Sequence, residues 1–158
     1  MEKKNFITGV ALDENVAKIG ILNVPDQPGI AARLFGALAQ DNINVDMIIQ
    51  SVHSQTLAAN MAFTVNKNEG RRAEEITRKV AAEMQAEGVL FDDKVAKVSI
   101  VGVGMISQPG VAANMFAALA EAGINIQMIG TSEIKISCVV ALDQGKKAVR
   151  VLHKKFEL

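Results

Sequence analysis

Apolar positions recur along this chain with two different periods. From Val16 to Val24, Ile19, Ile21 and Val24 supply β-branched bulk and Pro25 cannot continue a ladder, which predicts a strand. Phe6 to Asp13 reads as a shorter strand before it, and residues 1–5 as a polar, frayed end. Ile30, Leu34, Phe35 and Leu38 then form one helical stripe, ended by Asp41-Asn42. Its entry is the turn Asp26-Gln27-Pro28-Gly29, with Pro28 suited to the first helical turn. Val45 to Val52 is the next strand, His53 to Thr56 a polar turn, and Leu57 to Val65 an antiparallel return. Asn68-Glu69-Gly70 opens a second helix with Asn68 as its cap; Ile76, Val80 and Met84 mark its buried face and Gly88 its stop.

The pattern then starts again. Val89 to Phe91 and Val95 to Val103 read as strands, and Ser107-Gln108-Pro109-Gly110 turns into a helix with Val111, Met115, Phe116 and Leu119 inward and Gly123 closing it. Ile126 to Thr131 and Ile134 to Leu142 are two more strands, and Asp143-Gln144-Gly145 opens a last helix with Val149, Leu152 and Phe156 inward. The two halves are copies. Between Pro28–Ile48 and Pro109–Ile129, 12 of 21 positions are identical at a constant offset of 81, which marks one structural unit used twice. Gly9 to Lys18 matches Gly88 to Lys97 at an offset of 79, so a two-residue insertion lies between Val103 and Ser107.

That second match decides the architecture. The first copy runs strand, helix, strand, strand, helix, strand; the second lacks its last strand. The stretch 6–13 is the homologue of the missing element. An open sheet edge exposes unpaired backbone, so the N-terminal strand is expected to close the second unit. The predicted fold is α+β: two ferredoxin-like βαββαβ units with antiparallel sheets, one formed by residues 16–94 and the other by 95–158 plus 6–13.

Composition narrows the function without naming it. Hydrophobic residues make up 49% and charged residues 22%, with 17 basic and 17 acidic side chains. A net charge of zero gives no basic field to steer the protein to nucleic acid. No apolar run approaches the length of a membrane span, and Met1-Glu2-Lys3-Lys4-Asn5 has no signal-peptide core. A single cysteine, Cys138, excludes an intrachain disulfide and reads as a packed thiol, consistent with a cytoplasmic protein.

The repeated turns are the first chemical candidates. A helix N-terminus offers amide N–H groups and a partial positive charge that suit a small carboxylate, and Gly29 and Gly110 permit close backbone approach. The competing explanation is that Pro-Gly merely starts helices. Asn44-Val45-Asp46-Met47-Ile48-Ile49-Gln50 is the second candidate. Strand alternation puts Asp46 and Gln50 on one face, where they suit an ammonium and a hydroxyl or amide. A solvated carboxylate at a strand start accounts for Asp46 equally well, and the second copy has Gln127 there. Gly102-Val103-Gly104 invites a dinucleotide-loop reading, but Ser107 stands at the third glycine position and the helix begins only later. His53 and His153 are isolated, so no metal site is expected, and no nucleophile has a base nearby in sequence.

RNA-binding ferredoxin-like modules need sheet aromatics, and metal carriers a Cys-x-x-Cys; this chain has neither. It resembles the ACT-domain family, and within it the regulatory region of aspartokinase. The residues that carry the resemblance are Val16-Ala17-Lys18-Ile19, Asp26-Gln27-Pro28-Gly29, Ile43 to Gln50, Gly70-Arg71-Arg72-Ala73, Val95 to Gly102 and Thr131 to Ser137. The resemblance implies a chain without a kinase active site of its own, an excised piece or a separate small subunit. It would partner a kinase domain or catalytic subunit that uses ATP and Mg, and need no cofactor itself. It further implies a homodimer through the ACT units, and feedback inhibition by lysine and/or threonine bound where unlike units meet. Carried over residue by residue, one effector site comprises Asp26, Gln27, Pro28, Gly29, Ile30, Ala31, Asn44, Val45, Asp46 and Gln50, completed by Asn125, Ile126 and Ser132. A second comprises Ser107, Gln108, Pro109, Gly110 and Val111 with Gln127, Thr131 and Glu133. Neither nucleic acid nor membrane is an expected partner, and ligand-independent dimerisation is the alternative role.

Overall fold

The computed structural model describes residues 7–53, 58–104 and 108–158. The elements in order are β1 (Gly9–Pro25), α1 (Ile30–Gln40), β2 (Val45–His53), β3 (Ala58–Asn66), α2 (Gly70–Glu83), β4 (Gly88–Val101), α3 (Val111–Glu121), β5 (Met128–Thr131), β6 (Lys135–Ala141) and α4 (Gly145–Lys155). Short 3-10 turns precede α2 and α4. The chain divides into two compact units, one formed by residues 15–93 and the other by 94–158 with the N-terminal stretch through Glu14.

In the 15–93 unit the strand order is β2-β3-β1, followed by the first part of β4. β3 pairs antiparallel with both neighbours, Ile19 opposite Phe63 and Gln50 opposite Met61. The Glu87 amide donates to the Leu22 carbonyl at 2.9 Å where β4 begins. Leu34 and Leu38 on α1, and Ala73, Val80, Ala81 and Met84 on α2, pack on Ile19, Ile21, Met61 and Phe63. Phe35 meets Phe63 edge-on, with ring centroids 5.4 Å apart. At Gly70 a Cβ would lie 3.1 Å from that of Ala17, so α2 crosses the sheet where only a hydrogen fits comfortably.

The other unit repeats this plan. β4 pairs with β6 and β6 with β5, all antiparallel, Val98 opposite Cys138. The N-terminal stretch closes it: the Thr8 amide donates to the Val101 carbonyl at 2.8 Å. Ile7 is buried in this unit's core, and Val10 and Leu12 pack against it with Met115, Leu119 and Leu152. A Cβ on Gly145 would meet Ala96 and Leu12 at 3.1 Å each, the counterpart of the crossing at Gly70. The strand the repeat assigned to this edge therefore occupies it.

Several local expectations need correction. The two strands expected over 6–24 are one strand, β1, and those expected over 89–103 are one strand, β4. Glu14-Asn15 and Asp92-Asp93-Lys94 are polar but carry no Gly or Pro, so nothing forces the backbone out of the extended state. Pro28 lies in the turn before α1, and the N-cap is Gly29 at φ +91°. Asn68 does not cap α2: its amide instead donates to the Asn66 side chain, and Asn66 caps the preceding 3-10 turn. Gly88 opens β4; α2 has already ended, and Gln85 at φ +58° turns the chain. His53 is the last residue of β2, and the rest of the turn expected over 53–56 lies outside the described residues, as does Phe6.

Leu34 and Met115 occupy equivalent positions in the two units and are both fully buried. Leu34→Ala and Met115→Ala should each cost about 2–5 kcal/mol in urea denaturation, with comparable values because each empties the same place in one copy of the fold. Cys138 is fully buried, and burial pushes its thiol up to about 12. In native protein at pH 8 it should stay protonated and unreactive toward a disulfide exchange reagent, and react fully once guanidinium unfolds the chain.

Candidate functional site

β1 does not run straight into the turn. Its register with β3 shifts between Ile21 and Val24, and Asn23 takes φ +52°. The Asn60 side chain accepts the Asn23 amide at 2.8 Å, and the Asn23 side-chain amide donates to Glu87. This bulge ends the strand with Val24 opposite Ala59 and Pro25 opposite Ala58. The chain then turns through Asp26-Gln27-Pro28 and enters α1 at Gly29.

Gly29 has φ +91° and ψ −8°, and Gly110, its repeat partner, φ +94° and ψ −12°. A Cβ at either would meet nothing within 4 Å, so the constraint is backbone conformation rather than space. Helix starts leave amide groups without intrahelical partners. At α1 the Ile30 amide reaches the Gln27 carbonyl at a long 3.5 Å, and the Arg33 amide bonds the Gly29 carbonyl at 3.0 Å. The amides of Ala31 and Ala32 are the donors this turn leaves for a ligand. No side-chain cap occupies the helix start and no acidic residue lies in its first turn, so no side chain of the protein takes these amides.

An open cleft of about 440 Å³ lies here, lined by Val24 to Ala32 together with Gln50 and Ala59. It gathers seven of the predicted residues, Asp26 to Ala31 and, from β2, Gln50. Val24, Pro25, Ala32 and Ala59 were not predicted. Ala59 reaches the lining only through its pairing opposite Val24, which the sequence does not disclose.

Asp46 is not part of this lining. β2 has three residue steps from Val45 to Ile48 where β3 has two from Val65 to Phe63, and the Met47 amide donates to the buried Thr64 hydroxyl at 3.1 Å. The extra residue shifts the pairing register at the start of β2, while exposure still alternates, with Asp46, Ile48 and Gln50 exposed and Met47 buried between them. Val45 packs against the core, and Asn44 and Asp46 are exposed.

The remaining predicted residues belong to the other unit. Asn125 and Ser132 are exposed, Ile126 packs against that unit's core, and the Ser132 amide donates to the Lys135 carbonyl at 2.8 Å. Gln108, Pro109 and Gly110 form the second turn, and Val111 opens α3 against the core. Gln127 is half-buried, its amide bonded to the Val139 carbonyl at 2.8 Å, while Thr131 and Glu133 are exposed. Ser107 lies outside the described residues. A larger cleft of about 700 Å³ in this unit is lined by Glu14, Lys94, Asp143 and Lys146 over Ala141 and Leu142. It lies away from the repeated turn. Among the described residues no group of His, Cys, Asp and Glu has the proximity to hold a metal ion, and no helix is long and apolar enough to cross a membrane.

Comparison with known proteins agrees with this fold. Residues 19–83 and 98–156 each match the ACT domain. Aspartokinase of Thermus thermophilus is 49% identical over 159 residues, covering all of this chain and 39% of the relative. The chain thus spans well under half the length of the curated relatives it matches. The crystal structure of the regulatory subunit of aspartate kinase from Thermus thermophilus, in its ligand-free form, is 48% identical with a TM-score of 0.90, covering 96% of this chain and 99% of that one. A structure of aspartokinase alpha and beta subunits is 46% identical with a TM-score of 0.90 and the same coverage. With two ACT domains in sequence and fold, and end-to-end likeness to a solved regulatory subunit, this chain belongs to the ACT-domain family as an aspartokinase regulatory region.

Proposed function

We propose that this chain is an allosteric sensor that binds a free amino acid, lysine and/or threonine, in the cleft beside Gly29 and thereby inhibits the catalytic part of an aspartokinase. The observation that carries the proposal is the cleft itself: uncapped amides at the start of α1, an exposed carboxylate at Asp26 and a side-chain amide at Gln50 converge on about 440 Å³. These groups match the parts of an amino acid. The effector carboxylate takes the Ala31 and Ala32 amides with the helix dipole behind them. Asp26 takes the ammonium, and Gln50 takes a side-chain hydroxyl or amine. The volume falls within the usual range of small-molecule sites.

Feedback requires the effector to favour one state of the enzyme over another, and a coupling of roughly 1–3 kcal/mol shifts affinity about 5–150-fold. The turn at Gly110 keeps the backbone geometry of the first, and a second effector site there is part of the proposal. Its side chains differ, with Gln127 where the first copy has Asp46.

A second role, assembly of two copies, is favoured by a different observation. β2 is an edge strand, and Ile48 and Val52 on it are 54% and 51% exposed. An apolar edge of this kind suits a homodimer. Ligand response separates the two roles.

At a hundred times its dissociation constant, threonine or lysine should stabilise the chain by about 2.7 kcal/mol, seen as a rise in melting temperature. Asp26→Ala should remove most of that rise, whereas Asp46→Ala should leave most of it. If neither amino acid raises the melting temperature at millimolar concentration, the sensing role is lost and assembly remains.

A further inference from the structure

The two units can be compared helix for helix. From Gly70 and Gly145 onward α2 and α4 align at a constant offset of 75: Arg71 and Lys146, Arg72 and Lys147, Ala73 and Ala148, Lys79 and Lys154. The offset puts Val149 where α2 has Glu74, and Arg150 where it has Glu75. On α2 the Glu74 carboxylate is paired. Glu74 bonds Arg78 at 2.9 Å and Arg71 at 3.1 Å, and the Arg78 guanidinium holds its carboxyl below the ordinary 4.5. Arg72 meets Asp41 at 3.3 Å, and Arg71 also lies 4.4 Å above the Phe91 ring. α2 is therefore largely neutralised within its own unit.

α4 is not. Its eleven residues include five Lys or Arg and no Asp or Glu. Ala148 and Leu152 are buried, while Lys146, Lys147, Arg150, His153 and Lys154 are exposed. At 100° per residue these five fall within about a third of the circumference, opposite the buried side. Lys147 donates to the Ala122 carbonyl at 2.8 Å. Among the described residues, the side chains of Lys146, Arg150, His153 and Lys154 have no ion pair or hydrogen bond. The two duplicated helices thus differ: α2 pairs its arginines with carboxylates, while α4 leaves Arg150, His153 and Lys154 in an open row, with Lys146 unpaired at the edge of the cleft that Glu14 and Asp143 also line.

We propose that the exposed cationic face of α4 is a docking surface for an acidic face of the catalytic aspartokinase subunit, an inference that rests on the regulatory role proposed above. Charge complementarity selects the occupant. A second copy presenting the same face would be repelled. A nucleic acid strand would find no aromatic side chain in the row to stack on. A carboxylate-bearing protein face would find ammonium and guanidinium groups spaced one helical turn apart, the arrangement that steers encounter and fixes register. The likeness to a structure of alpha and beta subunits supports a protein partner of this kind.

The test uses the full chain with the catalytic subunit, comparing wild type with Lys146→Glu/Arg150→Glu/Lys154→Glu; Lys147 is left intact because it holds the end of α3. Association is measured between 0.05 and 0.5 M NaCl, and melting temperature with and without threonine and lysine is recorded on the same samples. Wild-type affinity should fall roughly tenfold or more across that range, and charge reversal should weaken low-salt binding by at least as much and flatten the salt dependence. The amino-acid response of the variant should persist, which shows an intact fold and an intact cleft. A variant that associates like wild type, with the same salt slope, overturns the docking surface alone. Loss of the amino-acid response in wild type overturns the sensing role instead. Tighter wild-type binding to a single-stranded oligonucleotide or to anionic vesicles than to the subunit, lost on charge reversal, also overturns the proposal.

Discussion

The unit formed by residues 94–158 depends on hydrogen bonds to a strand from the far end of the sequence. Thr8 and Val101 are separated by 93 positions, yet their backbone bond marks the edge that residues 7–14 close. Without that strand, β4 would present unpaired donors and acceptors, and the buried row of Ala96, Val98 and Ile100 would lose Ile7, Val10 and Leu12 from its neighbourhood. The close crossing of Leu12 beneath Gly145 shows that the N-terminal strand is part of that packing. The 15–93 unit, by contrast, is continuous in sequence. Closing a contact across most of the chain carries a loop-entropy cost that local contacts avoid, so the discontinuous unit is the one expected to consolidate later in folding.

Within each unit the helices and sheet create a second, smaller constraint at the repeated turn. The strand must reverse into a helix that lies back across the sheet, and both copies do so through a glycine at nearly the same backbone angles. In the first copy that reversal leaves amides facing a cleft floored by small side chains and edged by Asp26 and Gln50. The backbone needed to start α1 is also backbone of the kind that suits a carboxylate.

Much of this was readable before any coordinates. The repeat offset placed the helices, and the unmatched final strand identified the N-terminal stretch as the missing edge. The failures share a cause, which is that spacing counts residues and not geometry. One extra residue shifts the register of β2 opposite Thr64, and no turn residue in Val45-Asp46-Met47-Ile48 announces such a bulge; Gln50 lines the cleft and Asp46 does not. Asn66 rather than Asn68 took the capping role because a 3-10 turn intervenes before α2. Two strands were expected where polar residues interrupt an apolar pattern, but an extended backbone tolerates exposed Glu14 and Asn15 without bending. The cleft's contribution from Ala59 needed the pairing register, which no local pattern carries.

The glycines at positions 29 and 110 bear on how specialisation within such duplicated proteins can be recognised. Each is demanded by a backbone angle that side-chain-bearing residues rarely adopt, whether or not anything binds nearby. A copy that lost its ligand would keep its glycine for architectural reasons alone. The glycine is therefore mute about occupancy, and the positions that discriminate a working receptor from a silent scaffold are those where the duplicates have drifted apart: Asp26 from Ser107, Arg33 from Asn114 and Asp46 from Gln127.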